Sequence, residues 1–375
     1  MELNCLPADL LCEILIRIPA KSLLQIRCVC KYWYSLINSS NFISLHLNHT
    51  HVSQNPKILF RRMLMFEFKE TYTLHHDNQH FNSIESLYFP FKSKSEFFVI
   101  LGCVNGLVCL WDYKSGIVLL WNPSIRKCYI LPDSSGSKYP PGRVFGFGFD
   151  VLTNDYKVVS KIDDDHNYVF SLREKCWRKI DFVPNWNTRS RPRTVGGIIH
   201  RVTALDDHRM KLVSFDLSSE SCSEFACPDE VNNLFPYSEV ELSIFRDSLV
   251  LIHTLDYRKS DIWRLLENAG IKSWVKLFTL DLGTTSLRQF LVGFTKNGLV
   301  VMMGRPGAVV EPIVDNPVMV NLEISHREYH WHVESYQESL VLLQEGVDIA
   351  LSPQNFADDK KGGIVDAPPV TIIID

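Results

Sequence analysis

Apolar and polar positions follow two different rhythms along this chain. Up to about residue 48 the apolar residues recur with a helical period; beyond about residue 50 the rhythm is strand, turn, strand almost to the end. The first helix is predicted from Pro7 to about Ile18. Pro7 suits the first turn, where its missing N–H has no partner to lose, Asp9 and Arg17 match the helix dipole, and Pro19 stops the helix. Ser22-Leu23-Leu24-Gln25 reads as a capping box that opens a second helix. A third apolar-periodic stretch runs from Val29 through Trp33, Leu36 and Ile37 to Phe42. The expected organisation is a three-helix unit over residues 1–48, a β-domain over 51–350, and a tail over 353–375. The tail is polar and Asp/Lys/Gly-rich, a composition expected to stay disordered.

The helical unit carries more aliphatic surface than it can hide. Three short helices make a very small core. They cannot cover Leu6, Leu10, Leu11, Ile14, Leu15, Leu23 and Leu24 together, and each large aliphatic left in water forgoes about 1.5–3 kcal/mol. Two outcomes remain open: the surplus meets a partner, or it packs on the chain's own β-domain.

Within the β-region a hairpin repeats. The clearest copy is Leu119-Leu120-Trp121-Asn122-Pro123-Ser124-Ile125-Arg126-Lys127-Cys128-Tyr129-Ile130-Leu131, whose Asn-Pro suits the start of a type I turn. Others are Tyr168–Leu172 with Cys176–Ile180, Leu212–Leu217 with Phe225, Asp261–Trp263 with Ser273–Leu277, and Met319–Leu322 with Tyr329–Val333. With Phe68 marking the first, the hairpins recur at intervals of 45 to 58 residues, and other strand-like runs lie between them. A period near 50 residues with four short strands is the mark of a β-propeller blade. The predicted fold is mainly β, with a propeller-like domain of about six blades closed by Glu338–Leu343 returning to the first.

Charge and cysteines narrow the role. Lys and Arg number 39 against 43 Asp and Glu, a net charge of −4, which argues against a general nucleic-acid binder. No apolar run approaches the ~18 residues of a membrane helix, and charges interrupt the N-terminal apolar run, so neither a membrane nor a secretory route is expected. Ten cysteines without a C-x-x-C read as reduced thiols, suiting the cytoplasm or nucleus.

Two stretches resemble known families. Leu6-Pro7-x-Asp9-Leu10-Leu11-x-Glu13-Ile14-Leu15-x-Arg17-Ile18-Pro19-x-Lys21-Ser22-Leu23-Leu24, followed by Arg27-Cys28-Val29-Cys30-Lys31-x-Trp33, resembles an F-box. Ile18 stands where Leu is common, and Gln25 where many plant members have Arg. The resemblance implies docking to a Skp-type adaptor, and through it to the cullin and RING subunits of an SCF ubiquitin ligase. The implied adaptor face is Leu6, Pro7, Leu10, Leu11, Ile14, Leu15, Ile18, Pro19, Leu23 and Leu24. Further along, Cys103-Val104-Asn105-Gly106-Leu107-Val108-Cys109-Leu110, Leu120-Trp121-Asn122-Pro123, Phe145-Gly146-Phe147-Gly148-Phe149-Asp150 and Asn154-Asp155-Tyr156-Lys157-Val158-Val159 resemble the plant F-box-associated interaction domain. That resemblance covers about 97 to 343 and implies a domain that captures the protein to be ubiquitinated.

No catalytic set stands out. Asp163-Asp164-Asp165-His166 lacks the Gly and distal Glu of a calcium loop, and His326, His330 and His332 have no accompanying Cys or carboxylate cluster. Gly146-Phe147-Gly148 lacks the third Gly of a nucleotide loop. The expectation is a non-catalytic protein without metal or cofactor. Target contact is expected from long loops that join aromatics to charge: Trp186, Arg189, Arg191 and Arg193 in one, Phe235 and Tyr237 in another. Two rival readings are an F-box scaffold that competes for the adaptor outside the ligase, and a propeller enzyme or small-molecule receptor. The latter would need a polar central channel with perturbed ionisable groups.

Overall fold

A computed structural model of the chain describes residues 7–52, 57–64, 69–78, 83–132, 143–161, 166–181, 190–204, 209–232, 239–256, 259–268, 270–281, 290–296, 298, 300–304, 319–323 and 328–348. Its first elements are four helices: α1 (Ala8–Leu15), α2 (Ala20–Ile26), α3 (Lys31–Asn38) and α4 (Ser40–Val52). The sequence pattern predicted three. The third stretch divides because Ser39 turns extended, with ψ at 141°. Its hydroxyl donates to the Leu36 carbonyl at 2.7 Å and accepts from the Phe42 N–H at 3.2 Å, so one side chain ends α3 and caps α4. The predicted capping box is also corrected. Helix α2 already begins at Ala20 behind an extended Pro19 with no side-chain cap, which puts Ser22 inside the helix.

The remaining chain forms a ring of sheets. Blade I combines Lys57–Leu64, Lys69–His76 and Ser83–Leu87 with Glu328–Tyr336 from far along the chain. Blade II holds Val99–Val104, Leu107–Trp111, Val118–Asn122 and Lys127–Ile130, with Val347–Asp348 added at its outer edge. Blade III runs from Arg143–Asp150 to Cys176–Ile180, blade IV from Arg193–Val195 to Cys222–Ala226, and blade V from Glu239–Phe245 to Ile271–Asp281, each with four antiparallel strands. The inner strand of each blade lies against that of the next. Between blades V and I sits a three-stranded sheet of Phe290–Phe294, Val300–Gly304 and Met319–Glu323, whose last two strands run parallel.

The expected count of about six blades is therefore corrected to five. Four of the predicted hairpins form, but the one between Met319–Leu322 and Tyr329–Val333 does not. Its first strand pairs in parallel with Val300–Gly304, and its second leaves to become the inner strand of blade I. Ring closure is thus made by Glu328–Tyr336 on Lys57–Leu64, ten residues before the segment predicted to make it. Closure removes the open sheet edges that an incomplete ring would leave. The tail from 353 and the marker Phe68 lie outside the described residues.

A clamp on blade II holds the closing segment in place. The amide of Asn122, fully buried, donates to the carbonyl of Ser339 at 3.1 Å, to its hydroxyl at 3.1 Å and to the carbonyl of Val341 at 2.8 Å. Its own oxygen accepts from the Ser124 N–H, and Ser124 also meets the Tyr336 hydroxyl at 2.5 Å. Asn105 and Gly106 form the turn below, with φ of 51° and 78°. Asn-Gly is the favoured pair for such a two-residue hairpin. A Cβ on Gly106 would come within 2.5 Å of the Gln337 carbonyl, so the closing segment excludes any larger residue. The glycines at 146 and 148 serve blade contact rather than a nucleotide loop. A Cβ there would come within 2.4 Å of Ile199 and 2.6 Å of Leu217, both in blade IV or its turn.

Asn122→Ala leaves the carbonyls of Ser339 and Val341 buried without that donor. The expected loss is about 2–4 kcal/mol of unfolding free energy. Urea denaturation of the full chain checks this, and an unchanged midpoint would contradict the clamp.

Candidate functional site

The aliphatic residues of the helical unit divide between two environments. Leu11, Leu15 and Leu23 are buried, in one cluster with Ala20, Ile37 and Phe42. That cluster also contains Ile125, from the Asn122–Arg126 turn of blade II, and Leu340 and Leu343 from the closing segment. Part of the surplus is hidden after all, because α4 and the propeller supply the missing cover. Other bonds tie the same junction. Gln337 donates to the Leu47 carbonyl at 2.8 Å and Lys21 pairs with Glu85 of blade I at 2.9 Å, while within the helical unit the Nε2 of the buried His46 lies 3.0 Å from the Ile18 carbonyl.

The rest stays in water. Leu10 is 53% exposed and Ile14 50%, one helical turn apart on the same face of α1. Pro7 and Pro19 are exposed, Ile18 and Leu24 half-buried, and Leu6 lies outside the described residues. Val29, Tyr32, Tyr34 and Leu45 are exposed as well. Six of the fourteen exposed large apolar side chains among the described residues therefore belong to the helical unit, which is a small share of the chain. The sequence pattern places Val29 at the start of the third apolar stretch but does not single out Tyr32 or Tyr34. The signal for the two tyrosines is their place on either side of the inward Trp33.

A cleft opens where the helices meet the ring. The turns that follow the inner strands, at Asn105–Gly106, Gly196 and Asp247, and the turn residue Lys296, face the helical unit. Together with Arg17, Ile18, Pro19, His49 and Thr50 they enclose about 810 Å³. Lys57 and Glu338, also on its wall, form an ion pair.

Below the cleft the ring centre is ionic. Arg193 reaches across from blade IV to Glu334 on the closing strand at 3.2 Å, and Glu334 also binds the Nε2 of His332 at 2.6 Å. Arg191 bonds the other ring nitrogen of His332. Burial alone would raise the Glu334 carboxyl, but Arg193, His332 and Arg191 outweigh it and lower it to about 2. Burial, and then Arg191, lowers His332 to about 3. Arg191 itself is lowered to about 10, by burial first and then by Arg61, with Arg193 adding to it. Arg61 is fixed by Glu70 at 3.3 Å and by the Phe98 carbonyl at 2.6 Å.

This placement changes the expectation for the two long loops. Arg191 and Arg193 do not stand in an open connector. Arg193 is buried and both are tied to the closing strand, because the inner strand of blade IV begins at Arg193 itself. Trp186, Arg189, Phe235 and Tyr237 lie outside the described residues, as do Asp163, Asp164, Asp165 and His326. Ionisable groups with shifted pKa values do gather at the ring centre, as an enzyme or small-molecule receptor would need, but they are engaged with one another. Among the described residues no disulfide forms, and no helix is long and apolar enough to cross a membrane.

Comparison with known proteins bears on both halves. Residues 3–45 match the F-box domain family, and residues 61–313 match the F-box associated beta propeller domain family. An F-box/kelch-repeat protein of Arabidopsis thaliana is 26% identical over 317 residues, covering 80% of this chain and 85% of its own. The F-box protein CPR1 of the same plant is 27% identical over 310 residues, covering 74% and 73%.

The buried histidines predict a pH response. Burial lowers His200, whose Nδ1 lies 2.8 Å from the Ser214 hydroxyl, to about 4, and lowers His46 and His253 as well as His332. A folded value below the ordinary 6.5 means that the unfolded chain takes up protons first. Stability is then full above about pH 6.5 and falls on acidification toward pH 4. Glu70 acts in the opposite sense, since burial raises it to about 7 despite Arg61, but it is one group against four. The melting temperature should fall steadily from pH 7 to pH 5, and His200→Gln should flatten the slope. A flat profile in the wild type would contradict this.

Proposed function

We propose that this chain, which belongs to the F-box-associated β-propeller family and carries an F-box ahead of the propeller, is the substrate-recognition subunit of an SCF ubiquitin ligase. The F-box binds a Skp-type adaptor, and the propeller captures a target protein. Catalysis belongs to the ubiquitin-conjugating enzyme that the cullin and RING subunits recruit. The chain's own contribution is proximity: it turns an encounter between enzyme and target into an effectively intramolecular step.

The observation that carries this reading is the exposed α1 face of Leu10 and Ile14, on helices whose other side is already packed against the propeller. A monomer has no use for two half-exposed aliphatics one turn apart, whereas a partner surface does. The proposed adaptor contact is Pro7, Leu10, Ile14, Ile18, Pro19 and Leu24. Leu11, Leu15 and Leu23 act through the packing behind them, so the nine described residues of the motif serve two ends.

Co-purification with a Skp-type adaptor tests this. The wild-type chain should form a stable complex. Leu10→Glu/Ile14→Glu should lose it while keeping the wild-type melting temperature. Leu15→Ala should instead cost about 2–5 kcal/mol of stability. A folded wild type that never binds the adaptor would remove the ligase reading. Adaptor binding without proteasome-dependent turnover of any captured target would favour the scaffold alternative.

A further inference from the structure

We propose that the outer edge of blade V joins a second copy of this chain, its outer strand pairing antiparallel with its own counterpart across a two-fold axis at Ser273. This goes beyond the receptor reading and does not depend on it.

The edge is long and open. Ile271–Asp281 has eleven residues, whereas the outer strands of blades I to IV have five or fewer. Among the described residues nothing pairs with its outer side, while the outer strand of blade II carries Val347–Asp348. Beyond the pair of Val250 and Arg264, Leu265–Asn268 and Ile271–Val275 run on as a two-stranded ribbon, a form that is marginal in water on its own. One face of the ribbon is anchored. Leu265 and Trp274 pack toward blade IV, and the Trp274 Nε1 donates to the Ala226 carbonyl at 2.9 Å. The other face turns Ile271 and Val275 to water, 73% and 42% exposed. It continues the surface on which Ile262, Phe278 and Leu280 meet Phe294 and Val300, past the end of that cover. The unpaired N–H and C=O groups of such an edge are a template for another strand.

Charge and register select a second copy as that strand. A bulge at Leu277 ends the straight run, which leaves residues 270–276. Lysines on an edge normally discourage pairing. With the two-fold axis at Lys272 or Lys276 a lysine meets itself, and at Trp274 Lys272 meets Lys276. At Val275 the pairing runs into the bulge, and at Ile271 it runs off the hairpin turn. Of these axes only Ser273 keeps like charges apart within the straight run. There Ile271 lies opposite Val275 of the second copy on one face, a β-branched pair made twice. On the other face Lys272 lies opposite Trp274 of the second copy, a cation beside an aromatic ring. Lys276 meets Gly270 and is already held by Asp261 at 2.8 Å. Such self-complementarity is what a closed two-fold interface requires. Blade V stands across the ring from blade II, over which the helices are seated, so the pairing leaves α1 open.

Sedimentation velocity of the full chain over a micromolar concentration series should show a monomer–dimer equilibrium. Ile271→Glu/Val275→Glu sets like charges opposite each other twice and should stay monomeric throughout. Ile271→Lys/Val275→Glu sets opposite charges there and should dimerise again, more so as salt is lowered. Both positions are exposed, so the melting temperature should match the wild type. Ser273→Cys adds no charge and brings two thiols together at the axis. Mild oxidation should link it into covalent dimers well beyond the wild type, whose Cys28, Cys30 and Cys176 are exposed. A wild type that stays monomeric, as it would if the edge served a foreign strand, overturns the proposal. So does open-ended assembly, a Glu/Glu variant that still dimerises, a Lys/Glu variant as monomeric as the Glu/Glu one, or a Ser273→Cys chain that links no better than the wild type.

Discussion

The three hydrogen bonds from the Asn122 amide to Ser339 and Val341 hold the part of the chain on which everything else depends. The segment from Glu328 to Asp348 does four jobs in succession. It supplies the inner strand of blade I, contributes Glu334 to the ring centre, offers Leu340 and Leu343 to the helices, and adds a last strand to blade II. Each job needs the segment at one height and in one register. A single buried amide, aided by Ser124 on Tyr336, sets that register.

The helical unit follows from the same geometry. Leu11, Leu15 and Leu23 could not be buried by three short helices alone, and their cover comes from Ile125, Leu340 and Leu343. The helices are thus part of the propeller's surface as much as a domain of their own. Fixing one side of α1 in this way determines which side is left, and Leu10 with Ile14 is the result. The cleft is a by-product of the same docking. Helices seated over blade II, beside the ring axis, leave a roofed space above the ionic centre.

Much of this was legible in the sequence where a signal is local. The hairpin at Asn122–Lys127 and those at 171–176 and 216–222 form between the predicted strands, because turn chemistry and alternation act over a few residues. The F-box pattern and the propeller period were readable for the same reason. What failed depends on distant partners. Met319–Glu323 and Glu328–Tyr336 look like a hairpin, yet each found a better edge elsewhere, one in parallel and one about 270 residues away in the chain. Arg191 and Arg193 looked like an exposed basic loop, since nothing near them in sequence announces Glu334. The residues of the F-box face could be counted, but dividing the described ones into inner and outer sets required knowing what lies beneath the helices. The cleft was invisible because its wall is assembled from turns in different blades.

The closing strand also sets a timetable. During synthesis the F-box helices and Lys57–Leu64 leave the ribosome first, while Glu328–Tyr336 follows almost at the end. Until then blade I lacks its inner strand, and Leu11, Leu15 and Leu23 lack two of the three propeller residues that cover them. Contacts of such sequence separation make for slow folding, with apolar surface and strand edges open in the interval. The nascent protein therefore passes through a stage in which its F-box helices expose apolar side chains on both faces until the last blade is shut.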